Sequence, residues 1–359
     1  MKRGALTAIK IVVSLGILAY IFTNVVDIRH LFENLREANL TYFLAAVGIY
    51  FLVQALSAYR WYLLLKPQGI EIPYWKILAF YFLGMYFNFF LPSAIGGDVF
   101  RIYYLNKETR RLSASTASVF LDRDIGMAGL VLVALVAALT SPDSKEIHRL
   151  APVFAFIAVA FLAANLALFY RPTYNLLHRL LSLFRMTKVD EKIEHLFDSV
   201  NSYRGRWGLL AGTTMMSVGV QIGCALVNMV SARTIGLQTT HGWIDYLVFI
   251  PTIGLIGMIP VSVGGAGWRE GAYILLFQSV GATPAQAAAL SVLWLGAIVA
   301  TSLPGGIIYV AMRGRKEGRR PDDVEALERI PNEEGAVSPT RGPEQFPVTH
   351  EEEPRLSEL

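Results

Sequence analysis

Residues 91–101 read Leu-Pro-Ser-Ala-Ile-Gly-Gly-Asp-Val-Phe-Arg, and residues 259–269 read Ile-Pro-Val-Ser-Val-Gly-Gly-Ala-Gly-Trp-Arg. The second stretch repeats the pattern of the first 168 positions later without a gap, from the proline through Gly-Gly to the arginine. Each follows an apolar segment that begins with a tryptophan, Trp75 or Trp243. Apolar segments broken by Gly and Pro at matching positions of two halves indicate the binding site of a membrane transporter. The alternative is that the glycines only let helices pack closely.

Composition predicts an all-α integral membrane protein. Hydrophobic residues make up 54% of the chain and the mean hydropathy is +0.44, and several apolar runs approach the length that crosses a bilayer as a helix. We expect about eight hydrophobic segments, namely six full spans and two re-entrant Gly-Gly hairpins. The predicted spans are 5–26, 41–64, 114–139, 151–170, 208–232 and 284–311, and the predicted hairpins are 75–105 and 243–280.

Basic residues in the loops orient these segments. With the amino terminus in the cytoplasm, most Lys and Arg residues fall on the cytoplasmic side, and the few on the other side are Arg29, Arg36, Lys145, Arg149 and Arg233. This bias fits the positive-inside rule only if the first hairpin enters from the cytoplasm and the second from the outside. We therefore expect a multi-pass protein of the inner (cytoplasmic) membrane with both termini in the cytoplasm. In the alternative topology, the chain from Trp75 to Pro92 crosses the membrane fully.

The 168-residue offset also relates the flanking spans. It carries 41–64 onto 209–232 and 114–140 onto 282–308, and the paired spans have opposite predicted directions. The sequence thus predicts an inverted repeat, with halves at about 5–140 and 151–311 of a transmembrane domain at 1–312. Because broken backbone is tolerated at membrane depth only beside a cavity or inside protein, we expect the two Gly-Gly turns to meet near the midplane.

The repeated turns have the chemistry of an anion site. Helices that begin after Gly97 and Gly265 would point free backbone N–H groups and a positive dipole end at a ligand, and Arg101 and Arg269 add charge. The combination suits a phosphate. In the alternative interpretation the arginines form structural ion pairs, Arg101 with Asp98 three residues earlier and Arg269 with the adjacent Glu270.

Other polar residues within the spans predict a buried polar pathway. Asp122, Arg123 and Asp124 lie roughly 14 Å into their span at 1.5 Å per residue, where charges must face the bundle interior. We interpret Arg123 and one acid as a structural pair and the other acid as a coupling candidate, by proton or cation relay. Arg60 is expected to extend to the cytoplasmic headgroups. Amides within the segments are weaker signals: Asn88, Gln54, Gln221 and Asn228.

Two regions outside the spans differ in charge. Residues 171–206 form a basic cytoplasmic loop in which apolar residues at helical spacing predict an amphipathic surface helix. Residues 313–359 form a charged tail whose last part, 321–359, has eleven acids against three arginines. We expect this tail to be disordered and cytoplasmic.

Three separated segments resemble the signature segments of the lysylphosphatidylglycerol synthase transmembrane family, also called flippase-like membrane proteins. They are Asn88–Arg101, Ala117–Arg123 and Ile259–Glu270. The resemblance covers roughly residues 5–312 and implies the following substrate-binding residues: Pro92, Ser93, Gly96, Gly97, Asp98 and Arg101, then Pro260, Ser262, Gly264, Gly265, Gly267, Arg269 and Glu270. Bifunctional members of the family join this region to an aminoacyltransferase domain, which the sequence lacks. We therefore expect no lysyl transfer.

These observations predict a lipid flippase that moves a phospholipid or a polyprenyl-phosphate-linked glycan. The predicted partner is a membrane lipid with a phosphate headgroup, with no nucleic acid, cofactor or metal, and an associated lipid-synthesising enzyme is possible. One alternative is an enzyme that modifies a lipid headgroup with Asp122, Asp124 or Asp98 as acid or base. Another is a non-transporting partner subunit of a synthase or glycosyltransferase. The sequence has no Walker A, zinc-protease or Gly-x-Ser-x-Gly motif.

Overall fold

The computed structural model describes residues 12–88, 96–140, 145–169, 200–258 and 265–317. These residues form helices joined by short turns and contain no strand. The helices before the second motif are α1 (Val12–Val25), α2 (Ile28–Arg36), α3 (Leu40–Leu65), α4 (Tyr74–Asn88), α5 (Gly96–Thr109), α6 (Leu112–Thr140) and α7 (Lys145–Phe169). The later helices are α8 (Trp207–Thr234), α9 (Trp243–Met258), α10 (Trp268–Gln278) and α11 (Pro284–Glu317). The all-α prediction is confirmed for these residues.

Some predicted features lie outside the described residues. They are the surface helix within 171–206, the acidic tail at 321–359, and the motif residues Pro92, Ser93, Pro260, Ser262 and Gly264.

Three helices are long and apolar enough to cross a membrane among the described residues: Leu40–Gln68, Trp207–Thr234 and Pro284–Met312. The count rises to four if α1 and α2, which meet at a 91° bend, form one broken span. Helix α6 has 29 residues but carries three successive charged residues, and α7 contains a shorter apolar stretch, Ala151–Asn165. The chain therefore has several apolar helices, and the six-span arrangement with re-entrant hairpins stays a prediction.

Helix α2 is an element that the sequence analysis did not predict. Asp27 ends the first span and caps α2, because its side chain accepts a hydrogen bond from the Arg29 backbone N–H at 2.9 Å. Leu31 is buried, whereas most of the helix is exposed. A capping residue followed by apolar residues at helical spacing could have identified this amphipathic helix.

The second four-helix series, α8 to α11, follows the first series, α3 to α6, at close to the 168-residue offset. Helix α3 packs along α8, its counterpart at that offset. The two backbones approach closely at Gly223, where an added Cβ would lie 2.4 Å from a methyl carbon of Val53. Helix α6 also packs against α8, with Gly129 against Ser217. These glycines let α3, α6 and α8 pack closely against one another.

Candidate functional site

The first motif places Arg101 in contact with two aspartates. Its Nη1 donates to Asp98 Oδ1 at 3.3 Å, one helical turn earlier on α5, as the three-residue spacing predicts. Its Nη2 donates to Asp122 Oδ2 on α6 at 2.8 Å. All three side chains are buried, with relative exposures of 5% for Arg101, 6% for Asp98 and 1% for Asp122. The ion pairs hold α5 against α6.

Arg60 joins the same group from α3, and the prediction that it extends to the headgroups is wrong. Its Nε and Nη2 donate to Asp122 Oδ1 at 2.9 and 2.8 Å, and its Nη1 donates to Ser217 on α8 at 2.6 Å. Arg60 is 5% exposed. The guanidinium packs against Gly126, where an added Cβ would lie 3.4 Å from Nη2, an ordinary contact distance. A buried acid at the right depth on α6 attracts Arg60 inward.

Arg123 and Asp124, neighbours on α6, hydrogen-bond to residues on two different helices. Arg123 is half-exposed, and its Nε donates to Asp98 Oδ2 at 2.7 Å rather than to an acid of its own helix. Asp124 accepts a hydrogen bond from Asn165 of α7 at 3.2 Å. The structure therefore separates Asp124 from the other charges named on α5 and α6.

We call Arg60, Asp98, Arg101, Asp122 and Arg123 the arginine cluster. Each of its four carboxylate oxygens accepts a hydrogen bond from an arginine: Asp98 Oδ1 and Oδ2, and Asp122 Oδ1 and Oδ2. Three arginines against two aspartates leave a formal charge of +1. An unpaired arginine at this depth costs about 3 kcal/mol or more, so the pairing explains how three of them coexist here.

Two aromatic rings enclose the Arg101 guanidinium. Its Cζ lies 4.1 Å from the ring centroid of Trp61 and 4.6 Å from that of Tyr81. Trp61 is fully buried and donates to Ser118 at 3.2 Å, which fixes its ring. Each cation–π contact of this kind contributes about 1–2 kcal/mol when desolvated. Arg101 Nε is buried without a hydrogen-bond partner in the described part of the chain.

A cavity of about 320 Å³ adjoins the arginine cluster. This volume lies within the range of small-molecule sites. Charged, amide and apolar groups line it, and both halves of the chain contribute. The lining residues are Arg60, Tyr81, Gly84, Met85, Asn88, Gly97, Asp98, Arg101, Asp122, Arg123, Gly126, Met127, Leu130, Gln221, Gly254 and Met258.

Gly97 has a packing role in the first turn. An added Cβ would lie 2.3 Å from the Gly84 carbonyl oxygen, so no larger residue fits between α4 and α5. Its backbone N–H donates to Asn88 Oδ1 at 3.3 Å. The Gly97 amide, which the sequence analysis assigned to a ligand, is thus already used within the protein. Gly96, beside it, is buried at the first residue of α5.

The second motif is built differently. Arg269 donates to Glu270 Oε1 from Nη2 at 2.6 Å and from Nε at 3.2 Å, as predicted for neighbours. Glu270 Oε2 accepts from the Gly267 backbone N–H at 2.6 Å and so caps α10. Gly265 and Gly267 have φ angles of 79° and 81°, which favour glycine. Neither Arg269 nor Glu270 lines the cavity at the arginine cluster.

Sequence reasoning missed three parts of this site. Trp61 and Tyr81 enclose Arg101, and Ser217 accepts from Arg60, but nothing in their local sequence distinguishes them from ordinary span residues. Arg60 was recognisable, because a charged residue inside a span calls for a partner. Gln221, noted as a weak signal, lines the cavity.

The amino-acid sequence is similar to known membrane proteins. A family model described as the lysylphosphatidylglycerol synthase TM region matches residues 7–305. The chain is 26% identical over 278 residues to a UPF0104 membrane protein of Methanothermobacter thermautotrophicus, covering 72% of this chain and 82% of the relative. It is 23% identical over 328 residues to one of Methanocaldococcus jannaschii, covering 87% and 94%. The predicted resemblance is confirmed: the chain belongs to the lysylphosphatidylglycerol synthase transmembrane family and is a multi-pass membrane protein.

Proposed function

We propose that the protein translocates a phosphate-bearing lipid across the cytoplasmic membrane. The observation that carries this proposal is the arginine cluster, a buried group of net charge +1 at the wall of a cavity between helices. A phosphate matches this site because guanidinium groups present planar N–H donors to phosphate oxygens. Arg101 Nε, buried and without a partner, is the donor that a phosphate oxygen would satisfy.

The apolar residues of the cavity suit the passage of a lipid. Met85, Met127 and Met258 line it together with the charged residues. Methionine is flexible and polarisable, so such a surface adapts to ligands of varied shape. In this proposal the phosphate contacts the arginine cluster while the acyl chains stay in the surrounding bilayer. The proposed substrates are phospholipids or polyprenyl-phosphate-linked glycans.

The alternative of a lipid-modifying enzyme gains no support from the acids of the cluster. A general acid or base needs an oxygen that can reach a substrate proton, whereas every oxygen of Asp98 and Asp122 accepts from an arginine. Asp124 accepts from Asn165 and does not line the cavity. The third candidate, a partner subunit, has no specific observation in its favour. We therefore keep translocation as the proposed function.

We further infer that the two halves are inverted in the membrane, with both termini in the cytoplasm. The bias of basic residues and the repeated helix order support this arrangement. In a Cys224→Ser background, Ser182→Cys should react with an impermeant thiol reagent only from the cytoplasmic side. Thr239→Cys, between α8 and α9, should react only from the outside. Reaction of both from one side would contradict the inversion.

The transport proposal is tested by lipid movement in vesicles reconstituted with purified protein. Arg101→Ala should lower the rate at which a fluorescent phospholipid changes leaflet by at least about tenfold, the effect of losing one charged hydrogen-bond donor. Arg101→Lys should keep part of the rate, and the exposed control Arg29→Ala should keep all of it.

Stability separates a binding role of Arg101 from a structural one. In Arg101→Ala the buried Asp98 keeps only the half-exposed Arg123 as a partner, and its Oδ1 loses its donor. The double variant Arg101→Ala/Asp98→Ala removes this acid, and Arg123 can be hydrated without it, so the melting temperature should recover in part relative to Arg101→Ala. Its lipid movement should stay lost. Recovery of lipid movement together with stability would overturn the phosphate-binding assignment.

A further inference from the structure

Among the residues that the structure describes, those at the arginine cluster offer a headgroup no unpaired negative charge. The carboxylates that line it are Asp98 and Asp122, and all four of their oxygens accept from arginines. A lipid headgroup with an ammonium would therefore meet a net charge of +1 and no acceptor carboxylate. Opposing like charges in such a site select strongly against the wrong ligand.

The Gly-Gly turns do not supply a missing acid. Residues 89–95 and 259–264, which complete the two turns, contain no charged residue in the sequence, and their only hydroxyl side chains are Ser93 and Ser262. The charge balance set by the arginine cluster is thus not altered by the segments that connect α4 to α5 and α9 to α10.

The cavity does offer neutral hydrogen-bonding groups. Gln221 of α8, which carries an amide, and Tyr81 of α4, which carries a hydroxyl, are among the residues that line it. In the described part of the chain neither side chain makes a hydrogen bond. A neutral amide and a hydroxyl both donate and accept, and this combination matches the hydroxyl groups of glycerol or of a sugar.

We propose that this cavity selects phosphodiester lipids whose headgroup is uncharged and bears hydroxyl groups, and that it rejects headgroups with an ammonium. This proposal rests on the proposed lipid translocation and names its substrate class. The arginine cluster would hold the single negative charge of the phosphodiester, while Gln221 and Tyr81 would hydrogen-bond the headgroup hydroxyls. Phosphatidylglycerol and glycosylated phospholipids fit this description, whereas phosphatidylethanolamine and aminoacylated phosphatidylglycerol do not.

Competitive lipid binding to the purified full-length protein, measured by native mass spectrometry, tests the selectivity. The mixture contains equal amounts of phosphatidylglycerol, phosphatidylinositol, phosphatidylethanolamine and lysyl-phosphatidylglycerol with identical acyl chains. The first two should bind about tenfold more than the last two. Equal or stronger binding of either ammonium lipid, or binding of none of the four, would overturn the proposal. Displacement of the bound lipid by an equal concentration of glycerol phosphate would also overturn it, because a free phosphoester would then be the ligand.

A single substitution should abolish the preference. Gln221→Glu keeps the size of the side chain and adds an unpaired carboxylate, which brings the formal charge of the cavity to zero. The binding ratio of phosphatidylglycerol to lysyl-phosphatidylglycerol should fall about tenfold. The matched control is Gln278→Glu on the exposed end of α10, which should leave the ratio unchanged. An unchanged ratio in Gln221→Glu would contradict the role of this cavity in headgroup selection.

The binding and movement assays distinguish the two proposals. If the hydroxyl lipids bind selectively and lose binding in Arg101→Ala, but no lipid changes leaflet faster than in protein-free vesicles, the headgroup selectivity stands and translocation fails. If all four lipids change leaflet at equal protein-dependent rates and bind equally, translocation stands and the selectivity fails.

Discussion

The two copies of the Gly-Gly motif carry the same sequence pattern and different chemistry. In the first, Arg101 is shared by two aspartates on two helices and is enclosed by Trp61 and Tyr81 beside a cavity. In the second, Arg269 pairs with its neighbour Glu270, which caps α10. A repeated Gly-Gly motif therefore does not imply a repeated binding site.

The positions around each motif explain this divergence. At the 168-residue offset, Arg60, Asp122 and Arg123 correspond to Asn228, Leu290 and Ser291. The second half thus keeps a neutral polar contact where the first has charges, since Tyr273 donates to Asn228 at 2.7 Å. Leu290 stands at the position equivalent to Asp122, so no acid from there pairs with Arg269, which pairs instead with its neighbour Glu270. The first half thus carries the charged residues of the cavity, and the second contributes Gln221, Gly254 and Met258 to its wall.

The largest predicted effect concerns the acid that holds the first copy together. Asp122→Asn removes the charge that two buried arginines share, and should lower the free energy of unfolding by about 3 kcal/mol or more. Its matched control is Asp124→Asn on the same helix, where Asn165 can still donate, so the loss should be below about 1 kcal/mol. Denaturant titration of both variants measures the difference. Equal losses would show that Asp122 is not the centre of the cluster.

Glycines at equivalent positions of the two copies should also differ. Gly97→Ala places a Cβ 2.3 Å from the backbone oxygen of Gly84, which cannot move without separating α4 from α5, so the cost should be about 3 kcal/mol. In Gly265→Ala the added Cβ meets no atom closer than 3.4 Å. The cost is then only the strain of an alanine at a φ of 79°, about 1 kcal/mol. Melting temperatures of the two variants test this order. A larger loss for Gly265→Ala would contradict the packing role assigned to Gly97.

Local spacing predicted some of the site well. Helix α4 ends at Asn88 and α5 begins at Gly96, on either side of the first part of the motif, and residues three apart on a helix face each other, as Asp98 and Arg101 do. The long-range contacts were not predictable in the same way. Arg60 lies 62 positions from Asp122, and Arg123 pairs with a different helix, so their partners depend on how α3, α5 and α6 pack.

The enclosure of Arg101 shows the same limit. Trp61 and Tyr81 come from α3 and α4, and only the packing of these helices against α5 brings both rings to one guanidinium. The cavity likewise combines α4, α5 and α6 with α8 and α9. A pattern within one helix carries no information on such a site.

The most direct test of the divergence between the two copies is the leaflet exchange of fluorescent phosphatidylglycerol in vesicles that contain Arg101→Ala or Arg269→Ala. We predict that Arg101→Ala lowers the rate by at least about tenfold, while Arg269→Ala, measured below its melting temperature, stays within about twofold of the parent. Similar losses in both variants would contradict the account, because the two motifs would then form one shared phosphate site.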